Sequence, residues 1–161
     1  MFAPMKLKLI LVGKTVGSPL KEGIADYAGR LKHYASFSIE EIPELKQVSA
    51  LSRDQIRERE GALIAARLKD SDYVILLDEH GRRFTSVGWA RDLEQKLLHG
   101  SRDLVFVVGG AYGFSKPVYD RADEMLSLSE MTFSHQLVRL IFVEQLYRAF
   151  TIIRGEPYHH E

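Results

Sequence analysis

The sequence contains no cysteine, which excludes disulfides and thiolate metal sites and fits a cytoplasmic protein. Long apolar runs are also missing. "LILV" and "LVFVV" stop after a few residues, far short of the roughly 20 that cross a bilayer. The opening "MFAPMKLKLILVG" lacks the extended apolar core and small-residue cleavage site of a secretory signal. Its first four residues read as a ragged extension before a true start at Met5. Net charge is absent as well: 22 Lys and Arg balance 22 Asp and Glu. Bulk electrostatics therefore give no push toward nucleic acid. Repeats, low-complexity tracts and linkers do not occur, so residues 1–161 are expected to form a single domain.

Charge is unevenly placed within this balance. Residues 1–33 carry six basic residues (Lys6, Lys8, Lys14, Lys21, Arg30, Lys32) against Glu22 and Asp26, a local net of +4. Such a segment is either a solvated helix face or an RNA-facing edge.

Apolar runs alternate with segments of helical period along the whole chain. "LKLILV", "FSIEEI", "YVILLD", "LVFVV" and "MLSLS" read as strands. Between them, "GIADYAGRLKHY" places Ile24, Tyr27, Ala28 and Leu31 on one helical face. Leu51 to Leu68 is expected to be a charged amphipathic helix. "DEHG" reads as the turn that closes its strand, and Ser86 as the cap of a helix ending at Gly100. A short helix is expected from about Pro117, and a final one from His135 to about Thr151. Strand–helix alternation with continuous apolar strands predicts an α/β fold, a mostly parallel sheet covered by helices on both faces. Ligands of such sheets sit beyond the carboxyl ends of strands, where Asp78, Gly109, Gly110 and Ser129 fall.

"DLVFVVGGAYGFS" looks like a phosphate loop, but its spacing fails the requirement. A P-loop places Lys and then Ser or Thr directly after its last glycine, whereas Gly113 precedes Phe114-Ser115-Lys116-Pro117. Gly109 to Gly113 supplies only a G-x-x-G fragment of the dinucleotide fingerprint, and supplies it at the fourth strand. Two readings stay open: a tight turn needing positive φ, or close approach of a flat group to the backbone. The loop "SLSEMTFSH" (127–135) offers hydroxyls, backbone donors, Met131 and Phe133 as the other wall of such a site. The strand end Leu76-Leu77-Asp78 could close it.

The last helix is apolar on several sides, which suggests burial against the sheet and against another subunit. Glu144 and Arg148, four residues apart, are most simply an ion pair. His135 and Arg139 share the opposite side, and Arg139 suits either a phosphate or carboxylate ligand or a structural role in the first turn. The chain ends "GEPYHHE". Adjacent histidines without a third ligand argue against metal, whereas a tyrosine and a histidine brought to a pocket could stack on a base and move a proton.

"LLDEHG", "FVVGGAYGFS", "SLSEMTFSHQLVRLIFVEQLYRAFTI" and "EPYHHE", in this order and spacing, resemble the RlmH family. These are SPOUT-class enzymes that methylate N3 of a pseudouridine in 23S ribosomal RNA. The resemblance runs from Met5 to the end. It implies a SPOUT-type fold whose C-terminal segment forms a trefoil knot, a homodimer, and S-adenosyl-L-methionine as methyl donor. Carried over by position, Leu77, Gly109, Gly110, Leu128, Ser129, Glu130, Met131, Thr132, Phe133 and Ser134 would line the donor pocket. His159 and His135 would serve as base or relay, Tyr158 would position the target base and Arg139 would steady backbone or developing charge. No metal and no membrane are implied. Two features depart from the family: Ser134 and Gln136 flank His135 where prolines are common, and His160 stands where arginine is common.

A small neutral chain grips naked RNA poorly, so the expected partner is 23S ribosomal RNA within the assembled ribosome, read through shape and the basic N-terminal region. The alternative is a non-catalytic, ribosome-associated RNA-binding protein on the same scaffold. A nucleotide hydrolase is disfavoured by the missing P-loop and metal carboxylates.

Overall fold

A computed structural model describes residues 5–160; the extension at 1–4 and the terminal Glu161 lie outside the described residues. Five strands form one sheet: β1 (Lys6–Val12), β2 (Ser36–Ile42), β3 (Tyr73–Arg83), β4 (Leu104–Val108) and β5 (Glu124–Ser127). Their spatial order is β2-β1-β4-β3-β5, and every neighbouring pair is parallel. The helices are α1 (Ser18–Leu31), α2 (Arg53–Ala65), α3 (Ser86–His99), α4 (Lys116–Arg121) and α5 (Leu137–Arg154), with a 3-10 turn over Val48–Ala50. No helix among the described residues is long and apolar enough to cross a membrane.

The continuous apolar strands are explained by burial on both faces. Leu9, Leu11, Ile75, Leu77, Phe106 and Val108 point to one side, under α1, α3 and α5. Their neighbours Ile10, Val12, Val74, Leu76, Val105 and Val107 point to the other, under α2 and α4. On the first side Phe106 and Phe142 meet at a centroid distance of 4.8 Å, and Trp89 packs edge-on against both. Truncating such a buried ring costs about 3–5 kcal/mol.

Several boundaries differ from expectation. β3 does not end at "DEHG". Leu77 pairs with Leu126, the next residues bulge outward, and Arg82 and Arg83 return to pair with Leu126 and Ser127. Pairing with β5 thus recaptures a segment whose local composition favours a turn. α2 is shorter than Leu51 to Leu68 because Ser52 and Gln55 form a reciprocal capping box that fixes its start. Thr85, not Ser86, caps α3 by accepting from the Gly88 amide at 3.0 Å. Ser86 instead donates to Gln145 on α5. α5 begins at Leu137 rather than His135, because the Ser134 hydroxyl accepts the Leu137 amide at 3.0 Å. It continues past Thr151 to Arg154 and stops at Gly155, whose φ is +69°.

Candidate functional site

A cavity of about 500 Å³ opens at the carboxyl ends of β3, β4 and β5. Its walls are residues 77–80, 108–114, 126–129 and 131–133, with His135 and Val138 at the start of α5. Arg53 and Arg57 reach it from α2, and Tyr119 from α4. This is the size range of sites that hold small organic ligands.

The glycine loop is a tight turn. Gly113, with φ at +82°, donates its amide to the Gly110 carbonyl at 3.1 Å, and only glycine takes that backbone conformation freely. Part of the close approach the glycines allow is made by the chain itself. A Cβ on Gly110 would lie 2.6 Å from the Glu60 carboxylate, and one on Gly109 would lie 3.1 Å from the Phe114 ring. Glu60 Oε1 is buried without a hydrogen-bond partner among the described residues, and burial raises the pKa of this carboxyl.

The opposite wall holds itself with short-range bonds. Ser127 donates to the Ser129 carbonyl at 2.9 Å, and the Ser129 hydroxyl accepts from the Met131 amide at 3.0 Å. Thr132 donates to Glu79 across the cavity mouth at 3.2 Å. Glu130 pairs with Arg83 and does not line the cavity. Ser134 is likewise outside it, bound to the start of α5. Gln136 bonds to the segment after β1, accepting from the Val16 amide at 2.8 Å and donating to the Lys14 carbonyl at 3.0 Å. Where prolines would have stiffened this loop covalently, two side chains restrain it by hydrogen bonding.

At the third wall, Asp78 accepts from the Tyr119 hydroxyl at 2.5 Å and from the His80 amide at 2.9 Å. Burial first, and then this carboxylate, push the Tyr119 phenol up to about 12, so it stays protonated at neutral pH.

His135 faces the cavity. Burial and the neighbouring Arg139 charge lower its pKa, against an opposing pull from Glu44. It is therefore a neutral imidazole near pH 7, able to accept a proton. Arg139 itself is fully buried. Its guanidinium donates to the carbonyls of Val12 (2.7 Å), Gly13 (3.0 Å) and His135 (3.1 Å) and to the Thr15 hydroxyl (3.0 Å). In this chain its donors face protein oxygens rather than the cavity.

Tyr158 and His159 lie elsewhere, over the groove between α1 and the far half of α5. Tyr158 donates to Glu144 at 3.0 Å, sits 3.2 Å from the Tyr27 hydroxyl, and has the Arg148 guanidinium 4.9 Å from its ring centroid. Burial, then Tyr27 and Glu144, push its phenol pKa well up. Arg148 also pairs with Glu144 at 3.0 Å, the expected ion pair. Its Nη1 lies 3.0 Å from His159 Nδ1. Arginine can only donate, so Nδ1 accepts and the ring proton rests on Nε2. Neither tail residue lines the cavity of its own chain.

The sequence reading missed the contributions of Arg53, Arg57, Tyr112 and Tyr119. A signal existed for the first two, since a capped helix puts positions 53, 57 and 60 on one side. Nothing local says which strand end that side meets. Among the described residues, no group of three or more His, Asp or Glu side chains could hold a metal ion.

The family described as "Predicted SPOUT methyltransferase" matches the chain from residue 5 to 159, and the chain belongs to that family. Among curated proteins it is similar to the ribosomal RNA large subunit methyltransferase H of Bacteroides fragilis, 55% identical over 157 residues that cover 98% of this chain and 100% of that protein. The protein of the same name from Flavobacterium johnsoniae is 52% identical over 157 residues, with the same coverage. That of Christiangramia forsetii is 49% identical over 156 residues, covering 97% of this chain and 99% of that one. The resemblance drawn from Met5 onward therefore holds over residues 5–159 for the family and 97–98% of the chain for these relatives.

Proposed function

We propose that the protein is an S-adenosyl-L-methionine-dependent methyltransferase acting on N3 of a pseudouridine in 23S ribosomal RNA within the ribosome. It works as a cytoplasmic homodimer of single-domain subunits with the C-terminal trefoil knot of its class. The observation that carries this reading is the cavity. Its walls include every residue expected to hold the donor except Glu130 and Ser134. The residues fit such a ligand: Leu77, Val108, Leu126 and Phe133 offer apolar surface to an adenine ring. The loop backbones are close at hand, and no phosphate loop is needed. The non-catalytic alternative is not favoured, since relatives 55% and 52% identical to this chain carry the name of a methyltransferase.

When bound, S-adenosylmethionine supplies an electrophilic methyl group. The target imide nitrogen must lose its proton before its electron pair can attack, so the protein has to align the reactants and take that proton. His135 is suited to accept it, being neutral and facing the cavity. Arg139 acts as a positioning residue, tying the His135 carbonyl to the end of β1. Tyr158 and His159 lie outside their own cavity, so on this reading they serve the partner subunit's site, Tyr158 against the target base and His159 as relay.

Calorimetry with S-adenosylmethionine tests the donor site. Binding at one site per subunit, abolished in Leu77→Glu, is expected; no binding to the wild-type protein would overturn the proposal. The ribosomal context is tested by comparing methyl transfer to intact ribosomes and to free ribosomal RNA, where equal rates would contradict it.

A further inference from the structure

Tyr112 stands at the tip of the Gly110–Gly113 turn, on the rim of the cavity, and is 42% exposed. The turn does not require it. Turn tips favour small or polar residues, and an exposed ring adds little to the core. Two arginines of α2 nonetheless hold this tip. The Arg53 guanidinium lies 5.1 Å from the centre of the Tyr112 ring, and Arg57 donates to the Tyr112 carbonyl at 3.3 Å. Arg57 is neutralised by Asp54. Arg53 carries no ion pair among the described residues and also lines the cavity. An exposed aromatic ring and an unneutralised guanidinium 5.1 Å from its centre thus share one edge of the site. This is the chemistry that receives an unpaired nucleotide: a base stacks on the ring, and its phosphate meets the arginine.

We infer that Tyr112 and Arg53 form a platform for an unpaired RNA base flanking the methylated one, so that the ring contributes to substrate binding and not to donor binding. The inference rests on the proposed RNA methyl transfer and deepens it. The platform lies on the rim of the cavity, so a base held there adjoins the one delivered to His135. Stacking, not the hydroxyl, does the work.

Filter binding of purified bacterial ribosomes, which needs no turnover, tests this alongside calorimetry with S-adenosylmethionine. Tyr112→Ala should weaken ribosome binding about tenfold, with unchanged donor affinity. Tyr112→Phe should bind like wild type. Arg53→Gln should lower the slope of log affinity against log salt by about one, as loss of a phosphate contact does. Wild-type ribosome affinity in Tyr112→Ala would overturn the inference. So would failure of Tyr112→Phe to bind, an unchanged salt slope in Arg53→Gln, or a parallel loss of donor affinity, which would put the ring against the methyl donor. Docking on a ribosomal protein instead would also leave the salt slope unmoved. A wild-type protein that binds ribosomes through Tyr112 but transfers no methyl group would sink the enzymatic reading alone. An active wild type indifferent to Tyr112 would sink only the platform.

Discussion

The side chain of Arg139 donates from Nε to the carbonyl oxygen of His135, 3.1 Å away and one helical turn earlier. The same guanidinium binds the carbonyls of Val12 and Gly13 and the hydroxyl of Thr15. One buried charge thus joins the end of β1, the start of α5 and the loop that ends at the cavity. Lysine offers a point charge in place of a planar fork and cannot meet these acceptors together. Arg139→Lys should cost about 3 kcal/mol or more of unfolding free energy, because carbonyls are left buried and unpaired. Denaturant unfolding measures this. A change within about 0.5 kcal/mol, the range of an ordinary surface substitution, would show that the network is dispensable.

His135 gives a pH dependence with a definite sign. Its pKa is lowered from the ordinary 6.5 by burial and Arg139, so the neutral base forms at a pH below that value. As pH rises, kcat/KM should climb to a plateau with its midpoint below pH 6.5. His135→Asn should remove the climb and lower kcat by about 10²–10⁴. Stability follows the same group. The unfolded chain protonates more readily, so the His135 contribution, fully present at higher pH, is lost as pH falls below 6.5 toward the folded pKa. A midpoint above pH 6.5 would point to a different base.

The distance between tail and cavity makes a prediction about subunits. A pocket variant, Leu77→Glu, and a tail variant, His159→Ala with Tyr158→Phe, should each be inactive alone. In mixed dimers, one site of two joins an intact pocket to an intact tail from the other subunit. Random mixing should therefore restore roughly a quarter of wild-type activity. No recovery, in dimers shown by mass spectrometry to have exchanged, would confine the tail to its own chain.

Glu60 has a raised pKa from burial, with one carboxylate oxygen lacking a partner among the described residues. The folded chain holds this proton more tightly than the unfolded chain, so ionising Glu60 erodes stability as pH rises from 4.5 through the folded pKa. Glu60→Gln removes that loss and should raise the thermal midpoint at pH 8 while changing little at pH 4. Thermal scans at the two pH values measure the difference. A lowered midpoint at pH 8 would mean that the charge itself supports the glycine turn.

The strands were legible because both-face burial writes itself as unbroken apolar runs, as in "LVFVV". The loops that wall the cavity were legible because ligand sites of such sheets lie at strand ends. Other features depend on partners distant in sequence. "DEHG" has the composition of a turn, and only pairing of Arg82 and Arg83 with β5 returns it to the sheet. Four-residue spacing puts His135 and Arg139 on one side of an expected helix, but the four acceptors that surround Arg139 come partly from β1 and the residues after it. Ser86 and Thr85 are both good caps by composition, and Gln145 on α5 takes the first for another bond. Tyr112 read as one residue of a glycine loop until α2 supplied Arg53 beside its ring.

Methyl transfer to ribosomal RNA is tested most directly by incubating ribosomes from a strain lacking this modification with the protein and isotopically labelled S-adenosylmethionine, then sequencing nuclease fragments of the RNA by mass spectrometry. The expected result is one labelled methyl group on N3 of a single pseudouridine of the large-subunit RNA. Ribosomal RNA that stays unlabelled, while the protein demonstrably binds both the donor and the ribosome, would contradict it.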